Sequence, residues 1–346
     1  MALTVNTNIS SIIAQRSLNN ATNSMNISIE RMSTGFQINH SKDNAAGYSI
    51  ANIWDTQLSS LDVAADNAAT GMDLLTTAEE TYSLLTSHLQ RVRDLTEQAA
   101  NGTYGSASLK AIQAEVFARL QEIDRISANA EFNGIKLMAY DRNDGADNSK
   151  VGMTESGINL QVGLYSDPNS IINLNIACFS DASISGLFAS LATEKTQSGA
   201  KSFQEVLENA GGDIEKLGDA DTLQAFAAAC CGLILESYDS KTETGTFSLN
   251  TEKDCTAKEM LTFIDMAIDE ISTRATRIGA SQNRVESAIT ALDVQSQNLA
   301  SSLSTLRDTD IAAESSTYIQ QQILQQASAT LLSTANQLPS IALNLI

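Results

Sequence analysis

Thiols are the side chains of this chain best suited to covalent or metal chemistry. The four cysteines are Cys178, Cys230, Cys231 and Cys255. They allow three disulfide pairings, between which the sequence does not choose. Cys178 and Cys255 flank one stretch of chain and are candidates to close its base, while Cys230 and Cys231 lie in an apolar run and suit a buried core equally well. A zinc site is the weaker alternative because no Cys-x-x-Cys spacing occurs.

Sequence patterns of the common enzyme classes are missing. The chain lacks the zinc-protease pattern His-Glu-x-x-His, the hydrolase pattern Gly-x-Ser-x-Gly and the phosphate-binding pattern Gly-x-x-x-x-Gly-Lys. We therefore expect no enzymatic activity and no cofactor, and a structural or interaction function instead.

Charge and hydropathy argue against two classes of partner. With 21 Lys and Arg against 41 Asp and Glu, the formal net charge is -20, whereas binding to nucleic acid requires a basic surface. No apolar run is long enough to cross a bilayer, and residues 1–15 do not have the basic flank and apolar centre of a cleaved signal peptide. We expect neither a nucleic-acid partner nor a membrane partner.

A heptad pattern in the carboxy-terminal third predicts one long coiled-coil helix. Its seam advances in alternating steps of three and four residues through Leu261, Ile264, Ile268, Ile271, Ala275, Ile278, Gln282, Val285, Ile289, Leu292, Ser296, Leu299, Leu303 and Leu306. Two interleaved heptad series earlier in the chain offer a partner helix: Leu61, Ala68, Leu75, Tyr82 and Leu89, with Ala64, Ala78, Leu85 and Val92. Because each exposed aliphatic side chain forgoes roughly 1.5–3 kcal/mol of burial free energy, we expect the two halves to pair.

The two ends of the chain form a second pattern, in which aliphatic stripes run along nearly uncharged helices. No Asp, Glu, Lys or Arg occurs in residues 1–15 or 315–346. The stripes include Leu18, Met25 and Met32 near the start, and Ile319, Ile323, Leu331 and Leu338 near the end. An uncharged outer face is typical of helices that neighbouring chains cover. Two surface helices lying on a core are the simpler alternative.

Turn signals place the amino-terminal helices. We predict a helix over residues 6–36, a bend over 39–47, a long helix over 49–101 that ends at Asn-Gly, and a third helix that begins at the candidate cap Ser106. The fold class is therefore mainly α, a long antiparallel coiled-coil helical bundle formed by both chain ends.

The middle of the chain shows strand and short-helix patterns instead of heptads. Alternating apolar and polar residues at 158–165 and 171–177, around a Ser-Asp-Pro-Asn turn, predict a β-hairpin. Short helical candidates at 184–191, 203–209 and 222–235, separated by Gly-rich segments, predict a small inserted outer domain.

Motifs at both ends resemble those of the bacterial flagellin family. They are Met-Ala-Leu-Thr-Val-Asn-Thr-Asn at 1–8, Arg-Met-Ser-Thr-Gly at 31–35, Lys-Asp-Asn-Ala-Ala-Gly at 42–47, the stretch 274–289, Gln-Gln-Ile-Leu-Gln-Gln-Ala at 321–327 and Ala-Asn-Gln-Leu-Pro at 335–339. The resemblance covers roughly residues 1–138 and 260–346. Cysteines depart from the pattern of this family, and an extracellular location favours disulfides between them.

The resemblance implies a division of the chain into five parts. These are an amino-terminal inner-tube helix (1–45), long outer-tube helices with the hairpin (46–178), a variable surface-exposed insert (179–254), a carboxy-terminal outer-tube helix (255–305) and a carboxy-terminal inner-tube helix (306–346). The stripes at both ends would then mediate inner-tube assembly.

The resemblance also implies what the chain does and with what. It would be a secreted, extracellular subunit that assembles head to tail into the flagellar filament used for swimming, with an export chaperone, a filament cap and hook-associated proteins as further partners. The resemblance also implies that the chain is exported unfolded. A free monomer offers the neutral stripes too little partner surface, so we expect the ends to order only on polymerisation. The alternatives are a hook–filament junction protein, or a surface adhesin or immune-active protein that acts through the insert.

Residues 90–101 resemble the flagellin segment that the vertebrate Toll-like receptor for flagellin recognises. Position by position, Arg91, Leu95 and Glu115 match the central receptor contacts, and Gln90 lies beside them. Lateral packing in a filament, together with a solvated charged face, is the simpler explanation of the same residues. Both can hold, and we expect this face to be open in the monomer.

Overall fold

The structure is a computed structural model that describes residues 8–138, 158–165, 167–174, 182–189, 207, 220–231, 233–239, 244–249 and 253–343. The chain forms two compact units, the first made of Met1–Val63 with Asp293–Ile346 and the second of Ala64–Leu292. The division falls inside the two longest helices, so the five-part division by sequence stays a prediction.

Helices dominate the described residues, which confirms the predicted fold class. They are α1 (Ile9–Thr34), α2 (Ala45–Ala99), α3 (Ser106–Asn129), α4 (Ile184–Ala189), α5 (Ala220–Cys230), α6 (Lys253–Arg307) and α7 (Ile311–Leu343). Local chemistry sets several boundaries. The Asn8 side chain accepts from the Ser11 N–H at the start of α1, and Gly35 ends that helix in the left-handed conformation, at φ 78°.

All strands of the described residues lie in antiparallel pairs. They are β1 (Glu131–Phe132) with β2 (Ile135–Lys136), β3 (Ile158–Gln161) with β4 (Ile171–Leu174), and β5 (Leu233–Asp239) with β6 (Thr244–Leu249). The β3–β4 pair confirms the predicted hairpin, with Ile158 opposite Leu174 and Gln161 opposite Ile171.

One helix prediction extends too far. The candidate helix 222–235 ends at Cys230, and Leu233 begins strand β5, where it pairs with Leu249. Gly232 in the sequence lowers helix propensity at this point, and the ladder to β6 then satisfies the backbone groups. Of the candidate 203–209, only Leu207 lies within the described residues.

In the first unit, α1 and α7 run antiparallel along each other. The Asn8 Nδ2 donates to the Ala335 carbonyl oxygen at 2.6 Å, and further along the Gln325 Nε2 donates to the Thr22 Oγ1 at 3.0 Å. Because the first contact joins the start of α1 to the late part of α7, this order fixes the antiparallel direction.

In the second unit, α2 pairs antiparallel with α6, as the heptad patterns predict. The Arg93 Nε lies 2.5 Å from the Asp265 Oδ1, and the Gln282 Nε2 donates to the Glu79 Oε2 at 2.7 Å. All nine predicted heptad residues of α2 are buried. On α6, every second seam position from Ile264 to Leu292 is buried, namely Ile264, Ile271, Ile278, Val285 and Leu292, whereas the intervening seam positions and the later Leu299 and Leu306 are half-buried.

The described part of the predicted insert packs into the second unit. Residues 222–231 of α5 and its C-terminal end are all buried, and α5 packs on α3 and β5. The Gln113 Nε2 donates to the Gln224 Oε1 at 2.5 Å, and the Asp124 Oδ1 accepts from the Ile184 N–H at 2.7 Å. A helix whose described side chains are buried on all sides is enclosed by its neighbours, whereas the bounds 179–254 and the surface exposure of the whole insert stay a prediction.

Candidate assembly interfaces

The face between α1 and α7 is narrow and consists of small side chains. Its buried residues are Ala14, Ala21 and Ser28 on α1, and Ser328 and Ala335 on α7. The predicted assembly residues Leu18, Met25 and Met32 alternate with the buried positions of α1 and are half-buried. The pair therefore buries little apolar area.

The predicted stripe of α7 lies on the side that does not contact α1. Ile319, Ile323 and Leu331 are 51%, 60% and 62% exposed. At 100° per residue, Ile319 and Ile323 point away from Gln325 and Ser328, which face α1, whereas Leu331 lies at the edge of the exposed side, about 60° from Ser328. The Leu338 side chain lies outside the described residues. Glu314 in the first turn is the one charged residue of α7, so the exposed Ile319, Ile323 and Leu331 present an apolar surface to water.

The two short connectors of the first unit are bound to each other. The Gln37 N–H donates to the Arg307 carbonyl oxygen at 2.6 Å, and the Thr309 N–H donates to the Gly35 carbonyl oxygen at 2.9 Å. The Arg307 guanidinium lies 4.1 Å from the centre of the Phe36 ring, and its Nη1 is 3.9 Å from the Asp55 Oδ2. The sequence analysis missed this joint, because no local pattern in either connector indicates that residues so distant in the chain pair with each other.

The four residues of the predicted receptor site do not form one open surface. Gln90 and Arg91 are exposed on α2, and the Arg91 Nη2 lies 2.8 Å from the Glu115 Oε1 on α3. Leu95, in contrast, is only 2% exposed. The expectation of an open face in the monomer therefore does not hold at Leu95, because α2 uses that position for core packing.

Cys230 and Cys231 are free thiols. They are 0% and 1% exposed, which agrees with the alternative that they are buried core residues. Burial raises the pKa of the Cys230 thiol to about 12, although a hydrogen bond with Thr96 opposes the shift. Burial also raises the pKa of Cys231, as does the neighbouring Cys230. Cys178 and the side chain of Cys255 lie outside the described residues, so their disulfide stays a prediction.

A histidine that the sequence analysis did not use lies between α2 and α3. The His88 Nδ1 is buried and has no hydrogen-bond partner within the part of the chain that the structure describes. Burial lowers the pKa of His88, the positive charge of Arg119 lowers it further, and Glu122 opposes both. The two charges that shift this pKa, Arg119 and Glu122, both come from α3.

The described ranges hold neither a metal cluster nor a membrane span. They contain no group of three or more His, Cys, Asp and Glu residues placed to hold a metal ion. No helix among them combines the length and the apolar character that a membrane span needs.

Comparison with known proteins gives matches over the whole chain. The family models of the bacterial flagellin N-terminal and C-terminal helical regions match residues 5–142 and 261–346. Over the full length of both chains, the sequence is 36% identical to polar flagellin F and 35% identical to polar flagellin B/D of Vibrio parahaemolyticus. It is likewise 32% identical to flagellin D of Vibrio anguillarum.

Proposed function

We propose, because this chain belongs to the bacterial flagellin family and is a structural subunit of the extracellular flagellar filament, that copies of it assemble through the exposed aliphatic face of α7. The observation that supports this surface is the exposure of Ile319, Ile323 and Leu331 on a helix whose other side packs on α1. Family membership implies self-assembly, whereas the surface and the order of folding are our proposals. The junction-protein and adhesin alternatives are not favoured, since the relatives are flagellins.

The apolar face of α7 supplies a driving force for polymerisation. Burying the exposed part of each of these three side chains against a neighbouring copy contributes roughly 1 kcal/mol. The surface meets a different surface of the next copy, and such head-to-tail contacts do not close, so the assembly grows as a helix.

Folding of the ends is coupled to this assembly. Fixing the backbone of one residue costs about 1–2 kcal/mol, and α1 with α7 contains 26 and 33 residues. The small Ala and Ser face between them offsets little of that cost, so neighbouring copies supply the remaining stabilisation.

Seeded polymerisation tests the surface directly. We expect the triple variant Ile319→Gln, Ile323→Gln and Leu331→Gln to form no long filaments in electron micrographs, since Gln keeps helix propensity but removes apolar area. The matched control replaces the same three residues by Leu, Leu and Ile and polymerises normally. A triple Gln variant that elongates seeds at the wild-type rate contradicts the proposal.

Export partners follow from the same exposed face. An uncharged aliphatic stripe promotes aggregation before assembly, so we infer that an export chaperone covers α7 during secretion, and that a filament cap and hook-associated proteins receive the subunit afterwards. Mixing the purified chain with the chaperone of the same bacterium tests this: the wild type binds, and the triple Gln variant binds more weakly.

Recognition by the vertebrate Toll-like receptor for flagellin is a further proposal, supported by the exposed Gln90 and the Arg91–Glu115 pair. Leu95 acts on this surface only by holding α2 against its neighbours, because it is buried. Binding of monomer to the receptor ectodomain then falls on Arg91→Ala. Equal binding by wild type and this variant removes the proposal.

A further inference from the structure

Helix α5 lies in an enclosed site of the second unit, and its contacts reach three other helices. Gln224 is bonded to Gln113 of α3. The Phe226 ring lies edge-on to Phe188 of α4, with centroids 4.8 Å apart. The Thr96 side chain of α2 lies close enough to the Cys230 thiol to lower its pKa against the effect of burial. The C-terminal end of α5 thus lies directly against the coiled-coil helix.

The two neighbouring thiols lie at that end and are shielded from solvent. Cys230, Cys231 and Thr96 are each at most 1% exposed, and both cysteines are free. Any group added to either sulfur would therefore occupy volume that α2 or the rest of the core fills in the docked state.

We propose that Cys230 and Cys231 form a thiol latch: docking of α5 protects both sulfurs, and covalent modification of the undocked chain prevents α5 from docking again. In an oxidising medium the modifying agent is a low-molecular-weight disulfide. A thiolate of the chain attacks one sulfur of that reagent, the reagent's S–S bond breaks, a mixed disulfide forms on the cysteine, and the other half leaves as a thiolate that takes up a proton.

Docking and modification then compete for the same two side chains. In the docked state the thiols are buried and protonated, and the thiolate is the reactive species. In the unfolded state both sulfurs are accessible. In a chain that folds before it is modified, α5 stays docked. In a chain that is modified first, α5 stays undocked.

Protection is measured on the full-length chain with oxidised glutathione, by mass spectrometry of the peptide that carries both cysteines. We expect glutathionylation of this peptide to be at least about a hundredfold slower in buffer than in urea, since it requires local opening. Phe226→Ala, which removes the ring contact with Phe188, speeds modification in buffer about tenfold. Equal rates for the wild type in buffer and urea overturn the proposal.

Blocked docking is measured separately. A chain that carries Cys178→Ser and Cys255→Ser and keeps Cys230 and Cys231 is glutathionylated in urea and refolded, and amide hydrogen exchange of residues 220–230 is followed, with the same two Ser substitutions in all samples. We expect the modified chain to lack protection there, and the unmodified chain and a Cys230→Ala, Cys231→Ala chain treated in the same way to regain it. Full protection in the modified chain overturns the proposal, and so does loss of protection in the treated Ala variant.

Discussion

Leu160 of the β3–β4 hairpin fills the space beside Gly71 of α2 that a Cβ at this position would occupy. The hairpin is held on the same helix by the Asn67 Nδ2, which donates to the Gln161 carbonyl oxygen at 3.3 Å. A glycine inside a long helix costs roughly 0.5–1 kcal/mol relative to alanine. At Gly71 that cost accompanies a close approach of the hairpin to the helix.

Gly71→Ala therefore displaces the hairpin. The added methyl group overlaps the Leu160 Cδ1, and we expect a destabilisation of about 1–3 kcal/mol from overpacking. Chemical denaturation of the isolated chain, followed by circular dichroism, measures it.

Gly279→Ala is the matched control in α6, because a Cβ there meets no atom within 4 Å. Alanine improves helix propensity, so this variant gains up to about 1 kcal/mol. If both glycine variants change the free energy of unfolding in the same direction, the packing role of Gly71 is contradicted.

A buried amide pair joins α3 to α5 and gives a second prediction. Gln113 and Gln224 are 4% and 5% exposed and bonded to each other. Gln113→Ala leaves the Gln224 amide without this partner, and we expect a loss of about 1–3 kcal/mol in unfolding free energy. A double-mutant cycle with Gln224→Ala measures the coupling, and additive effects of the two substitutions contradict it.

The long helices were predictable from the sequence because their information is local and repeated. Every heptad of α2 places apolar residues on the same side of the helix, so Leu61, Leu75 and Leu89 together identify the buried face. The start of α3 at Ser106 was likewise predicted from the Gly-rich break before it, but Ser106 is not the cap: Gly105 occupies the N-cap position, and no side chain caps the helix.

The contacts of α5 could not be predicted in this way. Gln113 and Gln224 are 111 residues apart in the sequence, and neither lies in a repeat that signals its partner. An apolar run such as 225–229 indicates burial but not what encloses it. Leu95 was assigned to the receptor surface by the family resemblance, and its burial could not be predicted because a single position outside the heptad series does not reveal that α2 is packed on more than one side.

The joint of the first unit gives a third prediction, which concerns Arg307. Arg307→Ala removes the contact with the Phe36 ring and the approach to Asp55, and the ring contact contributes about 0.5–1 kcal/mol. We expect faster hydrogen exchange in residues 35–44. The exposed Arg284 of α6 provides the control Arg284→Ala, and equal exchange in the two variants argues against the joint.

His88 makes the second unit sensitive to acid. Because burial and Arg119 lower its pKa in the folded state below the ordinary value of 6.5, the unfolded chain binds a proton more readily than the folded one. The contribution of neutral His88 to stability is therefore fully present above pH 6.5 and is lost as the pH falls from there towards the lower, folded-state pKa.

Chemical denaturation between pH 7.5 and 5 tests this relation. We expect the unfolding free energy of the wild type to fall more steeply with acid than that of His88→Gln, because glutamine does not titrate. His88→Asn serves as a second non-titrating variant, so that a packing defect in one of them is not mistaken for a titration effect.

Two charges of α3, Arg119 and Glu122, shift the pKa of the His88 ring in opposite directions. Arg119→Gln raises the pKa of His88 and flattens the dependence, whereas Glu122→Gln lowers the pKa and steepens it. Identical slopes for the wild type and both His88 variants would show that protonation of this ring does not control the acid stability of the α2–α3 pair.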